Sequence, residues 1–245
     1  MYWGFQGKDM QEGTLRNRPI YKLANFLMLW PDFFYFTVDI LISCKSKNQS
    51  KIRYDLQRIK KRLEILITTD NSIKEEQANE FYNFFCEYCQ NEEASSGDLL
   101  NFIVYKVGPY KLNGDGINRK RECKIALKGN ILTDKNFDVV FYRFYQNDFV
   151  QAELIECKID LKAFVHSPPS DINSFSRKAD EKLKAMRLIK EKEREKDSLR
   201  FYFATCRKNV ISCQQMINDR GYDFVAIING DELYEMVKRY KQQLI

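Results

Sequence analysis

Asp138, Glu156 and Lys158 are the residues of this sequence whose types and spacing best suit chemistry. The run Phe137-Asp138-Val139-Val140-Phe141 puts an acid at the start of an otherwise apolar, strand-like segment. An ionised carboxylate is costly there unless it is paired or bound to a metal. In Glu153-Leu154-Ile155-Glu156-Cys157-Lys158-Ile159, Glu156 and Lys158 are two positions apart and so share one face of a strand. Gln146-Asn147-Asp148 between the two runs reads as a tight turn, and a hairpin would bring Asp138 to Glu156. Two carboxylates on neighbouring strands make a hard, oxygen-rich site suited to Mg2+, with Mn2+ as a substitute, and such an ion binds phosphate oxygens readily. A lysine beside them would position an attacking water or offset charge on the phosphate. The chemistry expected of this set is hydrolysis of a phosphodiester with one or two metal ions.

Glu-x-Lys is short enough to recur by chance, and a second copy exists at Glu122-Cys123-Lys124. Its close upstream acid, Asp115, lies in a glycine-rich loop, so this copy lacks the strand-borne partner that Asp138 gives to Glu156.

The elements that must position the triad follow from periodicity. Pro19 to Trp30 predicts a buried helix ended by Pro31, and the apolar stretch as a whole, Ile20 to Ile42, reads as a helix followed by a strand. Lys22, Pro31, Asp32 and Asp39 interrupt that stretch, which argues against a membrane span. Helices are predicted over Tyr54 to Ile67, Lys74 to Asn91 and Leu99 to Val107, the last broken by Gly108-Pro109. Three strands follow, at Cys123 to Leu132, Phe137 to Tyr145 and Val150 to Ile159. Beyond a loop from Ser167 to Asn173 come a charged helix (Ser174 to Lys196), a strand (Leu199 to Thr205), a helix (Ile211 to Arg220), a strand (Tyr222 to Ile228) and a closing helix (Asp231 to Gln243) capped near Asn229. This order predicts an α/β sandwich with a mixed sheet. No glycine-rich phosphate loop follows any strand, which argues against nucleotide hydrolysis of the Walker type.

The stretch from Phe137 to Ile159 resembles the catalytic hairpin of the PD-(D/E)XK, or restriction-endonuclease-like, nuclease superfamily. The helix-strand-strand-strand-helix-strand order from Lys74 to Ile228 resembles that superfamily's core. The resemblance implies a central mixed β-sheet flanked by helices, with residues 74–245 as the nuclease domain and residues 1–73 as a largely helical N-terminal extension that contacts nucleic acid or a partner. It implies that Asp138 and Glu156 hold a divalent metal and that Lys158 assists the attacking water. Phe137 stands where members often carry proline. Many members also have an acid on the helix before the first strand; Glu76, Glu80 and Glu87 are candidates, with Glu80 chosen. The activity implied is that of a Mg-dependent DNA endonuclease, with restriction or defence as a setting. Cutting both strands of a duplex is simplest with two symmetry-related sites, so a homodimer or larger complex is compatible with it.

Composition bounds these readings. The chain has 245 residues, and 44% hydrophobic content with 10 glycines and 5 prolines predicts a folded protein with a substantial core. Its net charge of +6 is compatible with a polyanionic partner. Charge clusters between Lys45 and Arg62, where Asp55 is the single acid; Lys51, Arg53, Arg58, Lys61 and Arg62 are the expected nucleic-acid backbone contacts. The helix candidate Ser174 to Lys196 mixes its cations with acids and reads as a solvated, salt-bridged face at least as readily as a phosphate-binding one. Seven scattered cysteines suit reduced thiols in a cytoplasm, or a nucleus in a eukaryotic cell. Cys86-x-x-Cys89 reads as core packing. The sole histidine, His166, excludes chemistry built on several histidines and reads as a loop residue. No secretory signal opens the sequence. Two competing readings are a non-catalytic nucleic-acid-binding or assembly protein with a nuclease-like fold, and an α/β interaction domain in which Glu156 and Lys158 form a surface ion pair.

Overall fold

The computed structural model describes residues 2–10, 18–43, 49–69, 73–91, 95–166 and 175–244. Its elements are β1 (Trp3–Lys8), α1 (Pro19–Leu29), α2 (Pro31–Ser43), α3 (Gln49–Thr69), α4 (Glu75–Gln90), α5 (Ser96–Val107), β2 (Asn118–Leu127), β3 (Asn130–Ile131), β4 (Phe137–Tyr145), β5 (Asp148–Cys157), α6 (Leu161–Val165), α7 (Arg177–Lys190), β6 (Leu199–Ala204), α8 (Ile211–Asp219), β7 (Val225–Ile228) and α9 (Gly230–Gln243).

The hairpin at the centre forms because β4 and β5 alternate β-branched and aromatic residues on a pleated surface. Gln146 and Asn147 join them with positive φ angles of 48° and 70°, the two-residue turn geometry that matches strand twist. The resulting antiparallel register sets Val139 opposite Ile155 and Val140 opposite Leu154. Strand order in the sheet is β1-β2-β4-β5-β6-β7, with β3 pairing on β2. Pairing is antiparallel from β1 to β5 and parallel across β5, β6 and β7. The sheet is therefore mixed, and the α/β class is as predicted.

Alternation along the strands divides the core in two. Val139, Phe141, Ile155, Cys157, Tyr202 and Ala204 face one layer, built from α1 to α5 and α9. Val140, Ala152, Leu154, Phe201 and Phe203 face the other, built from α6, α7 and α8. In the first layer α1 packs on α2, α4, α5 and α9, and α5 lies against β2, β4 and β5.

Three expectations are corrected by this arrangement. The largely helical N-terminal region also holds a strand that the periodicity did not predict: Trp3–Lys8 is the edge strand β1, paired with β2 from Trp3 opposite Leu127. The second half of the apolar stretch is helix, not strand, because Pro31 opens α2 where its missing N–H costs nothing, and burial of Phe33, Phe34, Val38 and Leu41 overrides strand propensity. The boundary at residue 73 runs through a continuous core, since Leu23, Leu27 and Phe33 pack in one cluster with Leu99, Ile103 and Met236; residues 1–73 supply an edge strand and much of one layer rather than an extension. The expected loop from Ser167 to Asn173 lies outside the described residues. Among the described residues no single helix is long and apolar enough to cross a membrane; α1 and α2 meet that composition only as a pair bent by 117°.

Candidate active site

Asp138 is the second residue of β4, Glu156 the penultimate residue of β5, and Lys158 follows the end of β5, where its N–H donates to the Ala204 carbonyl at 2.8 Å. The hairpin register brings them together. Asp138 Oδ2 accepts the Cys157 N–H at 2.8 Å, and Lys158 Nζ donates to Glu156 Oε1 at 2.6 Å and to the Cys157 carbonyl at 3.1 Å. The same ammonium stands 3.6 Å from Asp138 Oδ2. Three oxygens thus converge on one cationic point at the end of the sheet.

A fourth residue, Lys182 of α7, completes the cluster. Its side chain is 9% exposed, its Nζ lies 2.7 Å from Glu156 Oε2, and it donates to the Asn136 carbonyl while standing 5.0 Å from the centre of the Phe137 ring. The contact with Glu156 is an ion pair at an angle that makes no hydrogen bond, so Glu156 Oε2 is buried with its acceptor capacity unused. Sequence reasoning placed Lys182 among the solvated charges of a helix. Ala179, Leu183 and Met186 are all buried at helical spacing around it, and that periodicity was the signal that it faces inward.

Crowding of charge sets the protonation of the site. Burial pushes the Asp138 carboxyl above the usual aspartate range, and neighbouring Glu156 adds to this, while Lys158 and the Cys157 N–H pull the other way. For Lys158, burial lowers the pKa, but Glu156 and Asp138 together outweigh it and the ammonium stands above the ordinary lysine value. The two carboxylates thus favour the ammonium form of Lys158.

The donor set fits a hard divalent ion in type: Asp138 Oδ2, Glu156 Oε1 and the Cys157 carbonyl all lie within 3.6 Å of a single positive atom. Among the described residues no three His, Cys, Asp or Glu side chains cluster to hold a metal. An ion here would rest on two carboxylates, a carbonyl and oxygens from water or phosphate.

The remaining candidates are not brought to this cluster. Glu80 is exposed on α4, in a shallow groove with Glu75, Glu76, Asn79 and Asn83. Helix α4 packs on α1 and α3, and α5 is the helix that lies against the β4–β5 hairpin. Arg58, Lys61 and Arg62 are exposed on α3, which packs on α4 in the layer across the sheet from Lys182, with Arg62 over the Phe36 ring at 5.1 Å. The side chains of Lys51 and Arg53 lie outside the described residues. The second Glu-x-Lys is separated from the first: Glu122 sits at φ 48° beside a register shift in β1 and pairs with Lys8 at 2.5 Å.

No protein-family model and no curated protein matches the chain. Among solved structures it is similar to protein VC1899 from Vibrio cholerae, with a TM-score of 0.39 and 17% identity over 98% of this chain and 58% of that one. The chain thus spans less than two thirds of that protein's length.

Proposed function

We propose that this chain is a metal-dependent nuclease that hydrolyses phosphodiester bonds, with Asp138, Glu156 and Lys158 at its active site and DNA as its preferred substrate. The observation that carries this reading is the convergence of Asp138, Glu156 and the Cys157 carbonyl around Lys158 Nζ at the end of the catalytic hairpin. Asp138, Glu156 and that carbonyl would hold Mg2+ or Mn2+, which supplies Lewis-acid stabilisation of phosphate charge when bound. Lys158, kept protonated by its two carboxylate neighbours, donates to the attacked phosphate or to the attacking water and offsets charge that grows in the transition state. Lys182 orients Glu156 from behind.

One observation favours a second reading. Lys158 and Lys182 already balance the two carboxylates, so the cluster would also be stable as a closed ionic network in a non-catalytic nucleic-acid-binding protein.

Incubation of supercoiled plasmid and single-stranded substrates with Mg2+, Mn2+ or EDTA separates the two. Metal-dependent cutting is expected, with Asp138→Ala and Lys158→Ala each reducing it by about a hundredfold or more. No cutting by folded wild-type protein with either metal, or cutting that survives both substitutions, rejects the nuclease assignment.

A further inference from the structure

A second site lies beside this one, in a cleft of about 750 Å³ at the carboxyl ends of β5 and β6. Lys162, Arg177, Lys178 and Arg207 line it, against the single carboxylate of Asp160. These residues come from four separate places: the turn after β5, α6, the start of α7 and the loop after β6.

The cleft is built rather than incidental. Thr205, fully buried, accepts the Leu161 and Arg207 N–H groups at 3.3 Å each and donates to the Ile159 carbonyl at 3.1 Å, which ties the turn after β5 to the loop after β6. Ser176 caps α7 by accepting the Ala179 N–H at 3.2 Å and donates to the Phe164 carbonyl at 2.5 Å, which fixes the start of α7 against α6. Asp160 holds Arg207 Nε at 2.5 Å, and Glu181 holds Arg177 Nε at 2.9 Å. Lys162 and Lys178, both exposed, have no ion partner among the described residues. His166 also lines the cleft, and its Nε2 lacks a hydrogen-bond partner among them. Positive charge without an ion partner among the described residues therefore gathers around the amino end of α7, where the helix dipole also favours an anion.

The cleft adjoins the catalytic cluster through one side chain. Phe164 forms part of its wall, and the centre of the same ring lies 5.1 Å from Lys158 Nζ. An extended polyanion whose phosphate reached Lys158 would meet the Phe164 ring, which is shared with this cleft.

We infer that the cleft between α6, the start of α7 and the loop after β6 binds the phosphodiester backbone next to the bond being cut, with Lys162 and Lys178 as its principal contacts. The inference rests on the proposed nuclease reading for the identity of the polyanion. It replaces α3, across the sheet, as the surface that holds nucleic acid at the site.

Fluorescence anisotropy of labelled duplex and single-stranded oligonucleotides, with Ca2+ in place of Mg2+ to suppress cutting, tests it. The double variant Lys162→Ala/Lys178→Ala is expected to bind about tenfold more weakly and to lessen the salt slope of log K by about 2, one unit per lost phosphate contact. The control Arg58→Ala/Lys61→Ala on α3 is expected to change binding by less. Wild-type affinity in the cleft variant, loss concentrated in the α3 variant, or no binding by wild-type protein overturns the inference. Plasmid cutting measured in parallel keeps the two ideas apart: binding through the cleft without cutting leaves the cleft standing and removes the catalytic reading. Cutting with an unaltered cleft variant does the reverse.

Discussion

Glu156 receives an ammonium on each oxygen, Lys158 from its own strand end and Lys182 from α7. Taking charges out of water is costly, and a buried pair is strongly destabilised when one partner is removed. Because Glu156 keeps Lys158, replacing Lys182 by Met is expected to cost about 1–3 kcal/mol, less than for an isolated buried pair. A double-mutant cycle by urea denaturation in EDTA measures the coupling: Glu156→Gln should cost less in the Lys182→Met background than in wild type. Equal costs in both backgrounds would mean that the two residues do not act on each other. At this scale the triad was legible in sequence because strand periodicity and a turn suffice to bring Asp138 and Glu156 together. Lys182 was not read, since it is embedded among the charges Asp180, Glu181 and Lys184, and charge type drew more notice than its place in the Ala179-Leu183-Met186 stripe.

The segment that links α5 to the sheet is held by another buried carboxylate. Glu153, fully buried in β5, accepts the N–H groups of Tyr110 and Lys111 at 2.8 and 2.7 Å. Burial raises its pKa, and those backbone donors only partly oppose the shift. The folded protein therefore binds this proton more tightly than the unfolded chain. Its contribution to stability is full below the ordinary glutamate pKa of about 4.3 and is lost as pH rises through the folded value. Stability of wild type relative to Glu153→Gln should fall with rising pH across that window in urea titrations; a pH-independent difference contradicts this. Close approach constrains the same region: a Cβ at Gly108 would come within 2.4 Å of Phe141 Cζ. Gly108→Ala is expected to cost about 1–3 kcal/mol, measured by denaturation, because α5 must shift off β4 to admit the methyl. Elements with their own periodicity, such as α4, α5 and the β4–β5 hairpin, could be read locally. β1 could not, because glycines at 4 and 7 weaken its strand signal and its partner β2 is remote in sequence. α2 misled because Phe33, Phe34 and Val38 favour strands until neighbouring helices bury them.

The whole molecule is one sheet with a helical layer on each face, and the two tryptophans of the sequence report on different sides of it. Trp3 packs with the α7 side, and Trp30 lies against the core under α1 and α2. In each single-tryptophan variant, Trp3→Phe and Trp30→Phe, the urea transition followed by the remaining tryptophan should coincide with that followed by far-UV circular dichroism, because α1, α5 and α9 share one core with the sheet. Transitions that differ between the two probes would mean that parts of this shared core unfold separately. If the cleft takes a polyanion as proposed, the +6 net charge and the cations that line it predict an affinity that falls steeply as salt rises, measured by anisotropy over a salt series.

The seat of α9 against α1, α2 and α5 has a consequence for how the protein is made. On the ribosome, α1 and α2 emerge before every strand but β1, yet Leu233, Met236 and Val237, which share their core, belong to an element translated after all the others described. Trp3 likewise waits for Leu127 before β1 has a strand to join. The nascent chain must therefore carry Phe33, Phe34 and their neighbours without their final cover until α9 has been made, a period in which holdase chaperones bind exposed apolar surface.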